Sequence, residues 1–247
     1  MFFSTTDRGL GFELLTWPHL FACIAFAVIP LLLVFFFSRR IKNSDKEKWI
    51  GLALALFTLA VEIGQYIWHY AGGETNWRHI YPTTLCGLSV YVTSFALITR
   101  NEKLSSIAYF YSYGAVLSFL MADQTFGMDR FRYYSFFIIH GMILVNTAYL
   151  VWVRKTKIDR QSLIRALLVL FPILLLSYPA NILFSDQESA LNFFYVSYPP
   201  FEFPLMSDLY ERIPTLYTLC VYLIYLMLTL LLYGLYLMKR RIRSQDI

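Results

Sequence analysis

The sequence predicts an all-α, polytopic membrane protein: one domain over residues 1–247 with seven transmembrane helices, N-terminus outside and C-terminus inside. Three observations predict it. Hydrophobic residues make up 58% of the 247-residue chain and charged residues only 15%, where a soluble domain carries about a quarter. The charges gather in clusters, leaving long unbroken apolar runs between them. Lys and Arg are also unevenly placed. The first, third and fifth loops and the C-terminal tail hold 5, 2, 5 and 4 (Arg165 included with the fifth). The N-terminus and the second, fourth and sixth loops hold 1, 1, 2 and 1. Basic residues beside a span stay on the cytoplasmic side, so this bias sets the orientation.

The runs, in order, are Leu15–Phe37, Trp49–Tyr70, Thr83–Thr99, Leu104–Ala122, Tyr134–Val153, Ser162–Phe184 and Thr215–Met238. About 20 residues cross a hydrocarbon core about 30 Å thick; the third run is the shortest. Their continuous, non-alternating character excludes a β-barrel. The N-terminus "MFFSTTDRGLGFELLTWPH" has no basic region ahead of a short apolar core, so no cleaved signal peptide is expected and the first span is retained. Cys23, Cys86 and Cys220 all lie inside apolar runs, which argues against a loop disulfide. The net charge of +5 reflects topology and gives no nucleic-acid footprint. Most loops are short, so consecutive helices are antiparallel neighbours. The exception is Ser185–Pro214, whose "NFFYVSYPPFEFPLM" is aromatic where a flexible loop would be polar. It reads either as an interfacial belt on the headgroup layer or as a lid over a site.

Polar groups within hydrocarbon are costly unless they face a bundle interior, which makes each a functional candidate. At a rise of about 1.5 Å per residue, several fall at one depth. Thr83 sits at the mouth of the third span, with Thr84 beside it and Cys86 about a turn deeper. His140 lies about 9 Å below Tyr134 on the fifth span, and Glu62 about 10 Å below the outer end of the second. Glu62, Gln65 and His69 share one helix face. Tyr178 and Asn181 lie near the outer end of the sixth span, where Pro179 loosens the helix, and His19 follows Pro18 at the start of the first. Each has a purely structural counterpart. Thr83 and Thr84 after Pro82 suit a helix start, Cys86 suits a small buried apolar residue, and His140 suits a structural hydrogen bond. Glu62 must be protonated or paired, with His69 or His140 as the candidate partner. No tight ligand spacing indicates a metal, and no cofactor is expected.

Several of these segments resemble a known family. "YPTTLC", "FELLTWPHLF", "FFIIHG" and "ANILFSDQESALNFFYVSYPP", the last carrying Asn181 and Asn192, look like motifs of the YwaF-like integral membrane proteins of Gram-positive bacteria and their relative, transmembrane protein 164. They follow the same order and span most of the chain. The resemblance implies an intramembrane acyl-transfer site like that of a phospholipid acyltransferase. A more distant likeness to the androgen-induced membrane threonine hydrolases implies a threonine–histidine pair acting on fatty esters. On that pattern Thr83 is the nucleophile position and His140 the histidine. The sequence departs from it where the relative has cysteine and histidine, because Thr83 and Thr84 stand there.

The resulting expectation is an enzyme of the cell membrane that acts on an outer-leaflet phospholipid or fatty acyl ester. Thr83 or Cys86 would be nucleophile and His140 base; Glu62 or an asparagine would fix the base's tautomer. Glu62, Gln65, His69, His19, Thr84, Tyr178, Asn181 and Asn192 would line the substrate pocket, and amides at the start of the third span would hold an oxyanion. The alternatives are a non-catalytic lipid or small-molecule binding or transport protein and a seven-helix sensor. A retinal protein is disfavoured because Thr215–Met238 holds no lysine.

Overall fold

A computed structural model describes residues 1–73, 82–185, 190–200 and 204–245. His79 to Tyr81 at the start of the third-span motif lie outside the described residues, as do 186–189 and 201–203 of the aromatic loop. All regular elements among the described residues are helical. They are α1 (Trp17–Lys42), α2 (Glu47–Ala71), α3 (Leu85–Thr99), α4 (Glu102–Tyr111), α5 (Tyr113–Leu120), α6 (Phe131–Val153), α7 (Arg160–Phe184), α8 (Pro204–Arg212) and α9 (Pro214–Gln245). Five of them, α1, α2, α6, α7 and α9, are long and apolar enough to cross a membrane, and α3 is a shorter apolar helix. The expected fourth span is instead two helices broken at Ser112, whose hydroxyl turns back onto the Tyr109 carbonyl. The short α8, inside the aromatic loop, was not expected.

The chain divides into two compact units. The first holds residues 1–82 and 86–157, and α6 is its centre: its apolar window is 72% buried, against 17–22% for the other long helices. Large outward apolar residues on α1 and α2, such as Phe36, Phe57 and Ile67, fit a lipid-facing surface. Two π-helical turns, Cys23–Val28 in α1 and Tyr149–Val153 in α6, depart from the regular ladder. The first has a local cause. Pro30 has no N–H to give the Phe26 carbonyl four residues earlier. That carbonyl faces Gly141 of α6 so closely that a Cβ there would lie 2.0 Å from it.

Helices α2 and α6 run antiparallel in a register readable from their contacts. The Trp68 and Phe131 rings are 6.1 Å apart, Gln65 Nε2 donates to the Ser135 carbonyl at 3.3 Å, and Asn146 Nδ2 donates to Thr58 Oγ1 at 2.9 Å. At the far end Arg154 Nε meets Glu47 Oε1 at 2.8 Å. This register puts Glu62 level with His140.

The N-terminal segment is strapped to the Phe131 end of α6. Phe131 N donates to the Phe2 carbonyl, Trp68 Nε1 to the Phe3 carbonyl, and buried Arg130 reaches Asp7 and Asp129. The Gly9 amide, followed by the Arg130 guanidinium, holds the Asp7 carboxyl below its ordinary value. A depressed carboxylate stabilises the fold above its unfolded pKa, and that contribution disappears as pH falls through the lower folded value. The strap should therefore loosen below about pH 4. Trypsin-like cleavage after Arg8, measured with an acid-stable protease of matching specificity, should accelerate there, and Asp7→Asn should remove that pH dependence.

The second unit holds residues 83–85 and 158–247. Its α7 starts from a capping box, in which Asp159 Oδ1 accepts the Ser162 amide and Ser162 Oγ accepts the Asp159 amide. Helices α7 and α9 pack on each other, and Tyr222 donates to the Leu174 carbonyl at 3.2 Å.

Candidate functional site

On α6, Arg132, Phe136 and His140 follow one another at four-residue steps and form a column on one face. The His140 imidazole is buried, 4.4 Å from the Phe136 ring centre. Its Nδ1 lies 2.7 Å from the Phe136 carbonyl, an atom that only accepts, so Nδ1 carries the proton and donates. The other nitrogen, Nε2, therefore keeps its lone pair, as a general base requires. The tautomer was expected to be set by Glu62 or an asparagine. A backbone carbonyl one turn back sets it instead.

Glu62 is engaged elsewhere. Tyr66 donates to Glu62 Oε1 at 2.6 Å, and because that hydroxyl has given its proton away, Tyr91 of α3 donates to Tyr66 at 2.9 Å. The chain carboxyl–phenol–phenol ties α2 to α3. One turn above, Gln65 Oε1 takes Arg132 Nη1 at 2.5 Å while its amide nitrogen serves Ser135. His69, in the last turn of α2, lies edge-on to Trp68 at 4.9 Å.

Cys86 packs with Val90, Ala115, Ile139 and Ile143, and so beside the neighbours of His140. Ser118 Oγ gives its proton to the Gly114 carbonyl at 3.0 Å, which leaves it to accept from the Cys86 thiol at 3.4 Å. The cysteine is thus a satisfied thiol in apolar surroundings. His19 serves the neighbouring backbone. Its Nδ1 accepts the Leu15 amide at 3.1 Å and its Nε2–H donates to the Phe119 carbonyl at 2.6 Å. Nε2 fastens α1 to the end of α5, and Nδ1 ties down the segment that enters α1.

The remaining candidates belong to the second unit. Thr84 stands immediately before α3, the cap position of that helix. The Thr83 carbonyl accepts the Phe194 amide at 2.7 Å. Phe194 and Tyr195 both have positive φ, 54° and 57°, which is costly for large side chains. Hydroxyls from α9 hold the kink: Tyr225 donates to the Phe194 carbonyl, Tyr217 to that of Tyr195 and Thr218 to that of Val196. Asn181, buried on α7, accepts the Phe193 amide at 2.8 Å and donates to Ser197 Oγ at 2.7 Å. Asn192 accepts the Ser197 amide and donates to the Tyr198 carbonyl. Both asparagines spend their amides on shaping this loop, and Phe194 is turned inward, 3% exposed. Tyr178 lies half-buried on α7.

The profile of the TMEM164 family matches residues 12–236. The chain belongs to the TMEM164 family. It is a multi-pass membrane protein. No curated protein and no solved structure matches it. In this TMEM164-family chain the first unit holds Glu62 and Gln65 on α2, Cys86 on α3 and His140 on α6, where Tyr66 and Tyr91 partner Glu62, Arg132 partners Gln65 and Ser118 partners Cys86. Sequence reading missed those four partners. Arg132 was counted as a loop charge, since the fifth span was started at Tyr134 and not at Phe131. Tyr66 carried a legible signal, one helical turn after Glu62, hidden among 19 tyrosines. Tyr91 and Ser118 had none.

Proposed function

We propose that this protein is an intramembrane lipid-modifying enzyme that transfers or hydrolyses the acyl group of an outer-leaflet phospholipid or fatty ester, with His140 as general base. The observation that carries this is the fixed Nδ1–H tautomer, which leaves an unprotonated nitrogen in a buried layer level with a carboxyl. In this reading the protein crosses the cell membrane seven times with the N-terminus outside. The five long helices are joined by α3 and by the α4–α5 pair as the remaining crossings. The basic-residue bias supports the orientation.

The nucleophile would pass its proton to Nε2 as its oxygen or sulfur bonds to the ester carbonyl carbon. The imidazolium then returns that proton to the departing alcohol as the ester bond breaks. Water or an acceptor-lipid hydroxyl, deprotonated by the same nitrogen, releases the acyl group. Thr83 is favoured as nucleophile by its position after Pro82. Cys86 is the better intrinsic nucleophile, but its proton is directed to Ser118.

Purified protein incubated with activity-based acyl probes should label in wild type and lose at least about 100-fold of that rate in His140→Ala, the usual scale of a lost base. Thr83→Ala or Cys86→Ala should abolish the covalent adduct, assigning the nucleophile. Labelling that persists in all three variants, or is absent from wild type, would sink the enzyme reading. A second reading, a non-catalytic lipid or small-molecule binding or transport protein, is favoured by the satisfied Cys86–Ser118 and Glu62–Tyr66–Tyr91 networks. It takes over if no adduct forms.

A further inference from the structure

We propose that Arg132 anchors the phosphate of a phospholipid headgroup above His140, an inference that rests on reading this layer as a lipid site. A charged residue in a spanning helix is expensive and marks function by default. Arg132 occupies the first turn of α6, and side chains on a helix lean toward its N-terminus, here the end bearing the N-terminal strap. Its guanidinium carbon is 5.8 Å from the Phe136 ring centre, and that centre is 4.4 Å from the imidazole, so the two groups lie within about 10 Å of each other. Phe136 separates them and keeps the fork stacked on its face.

Gln65 gives the fork its orientation. Because the Gln65 amide nitrogen is committed to the Ser135 carbonyl, its oxygen is turned to Arg132 Nη1. A neutral amide positions a guanidinium without cancelling its charge. The planar, five-donor fork matches phosphate oxygens two at a time, which an ammonium does not. Two carboxyls lie within reach of its field: Glu62, which accepts from Tyr66, and Asp123, which burial pushes above its ordinary value against the opposing pull of Arg132.

The order along the column matches a lipid lying in its leaflet. A glycerophospholipid carries its phosphate a few bonds outward of its ester carbonyls, as Arg132 lies outward of His140. The arrangement would hold the headgroup at the mouth and present the ester to the base, making Arg132 a positioning residue with no role in bond making.

The test uses the full chain in a phosphate-free maltoside detergent and two probes with identical chains, dioleoylphosphatidylglycerol and dioleoylglycerol, with bound lipid counted by native mass spectrometry. Wild type should prefer the phosphate-bearing lipid by about tenfold or more, the scale of a charge-assisted bidentate contact. Arg132→Gln should bring the ratio close to one while leaving dioleoylglycerol binding unchanged. Arg132→Lys, which keeps the charge and loses the fork, should fall between the two. A wild-type ratio near one, or a wild-type ratio retained by either variant, overturns the assignment. His140→Gln should keep the full preference. That separates this inference from the enzyme reading: if acyl probes label nothing but the ratio depends on Arg132, the phosphate site stands and catalysis does not.

Discussion

Replacing Gly141 by alanine should lower the melting temperature of the detergent-solubilised protein by on the order of 10 °C, or prevent its accumulation. The added Cβ would lie 2.0 Å from the Phe26 carbonyl oxygen and 3.0 Å from its carbon. These are backbone atoms, so no side-chain rotation relieves the clash, and α1 must move away from α6. Overpacking a tight core costs about 1–3 kcal/mol and more where backbone is hit, and each kcal/mol shifts the midpoint by about 2–4 °C in a chain of this size. The shift also moves the residue next to His140, so acyl-probe labelling should fall even in the fraction that folds. Gly234→Ala is the matched control. Nothing lies within 4 Å of a Cβ there, and alanine is the better helix former by about 0.5–1 kcal/mol. Its midpoint should stay or rise. Fluorescence-detected size-exclusion after heating reads both variants.

Glu47→Ala should cost about 3–5 kcal/mol, the penalty for leaving a buried charge without its partner. Glu47 joins three elements at the end opposite the proposed site. Arg154 Nε binds its Oε1 at 2.8 Å and Arg100 Nη1 its Oε2 at 2.7 Å. Tyr149 donates to its backbone carbonyl at 2.6 Å. The Arg154 side chain is only 10% exposed and also donates through Nη1 to the Leu97 carbonyl in the last turn of α3. Without Glu47 the guanidinium remains buried against those carbonyls with its charge uncompensated, and the end of α3 loosens with it. Asp208→Ala provides the contrast, since its ion pair with Arg212 is exposed on both sides and such pairs contribute about 0–1 kcal/mol. A midpoint for Glu47→Ala within 2 °C of Asp208→Ala would show that the cluster is not what closes this end.

Much of the helix pattern was readable because spanning a bilayer imposes a run length that composition reveals directly. The runs at Trp49–Tyr70 and Ser162–Phe184 became α2 and α7 with shifts of two residues or fewer. Ends carrying charge were misplaced. Leaving Arg132 and Glu47 in loops treated both as solvent-bound, whereas Arg132 is held by Gln65 of α2 and Glu47 by Arg100 and Arg154, just past the ends of α3 and α6. The break at Ser112 was invisible, because serine inside an apolar run carries no sequence mark of a helix end.

The candidate residues divide along the same line. That Glu62, Gln65 and His69 share a face follows from the 3.6-residue helical period alone, and α2 shows it. The burial of His140 among apolar neighbours was likewise legible in "FFIIHGMIL". By itself, then, the sequence determined a multi-pass helical membrane protein of the TMEM164 family, because hydropathy, charge bias and motif order are properties of the chain read in one dimension. Only the tertiary structure decided which partner each polar atom takes. It sent the Cys86 proton to Ser118, spent His19 on a backbone carbonyl, bent Asn181 and Asn192 to the aromatic loop and left His140 with an unprotonated Nε2. Hydrogen bonds are short and directional, so these choices follow from helix register and close approach, which no local pattern of residues encodes.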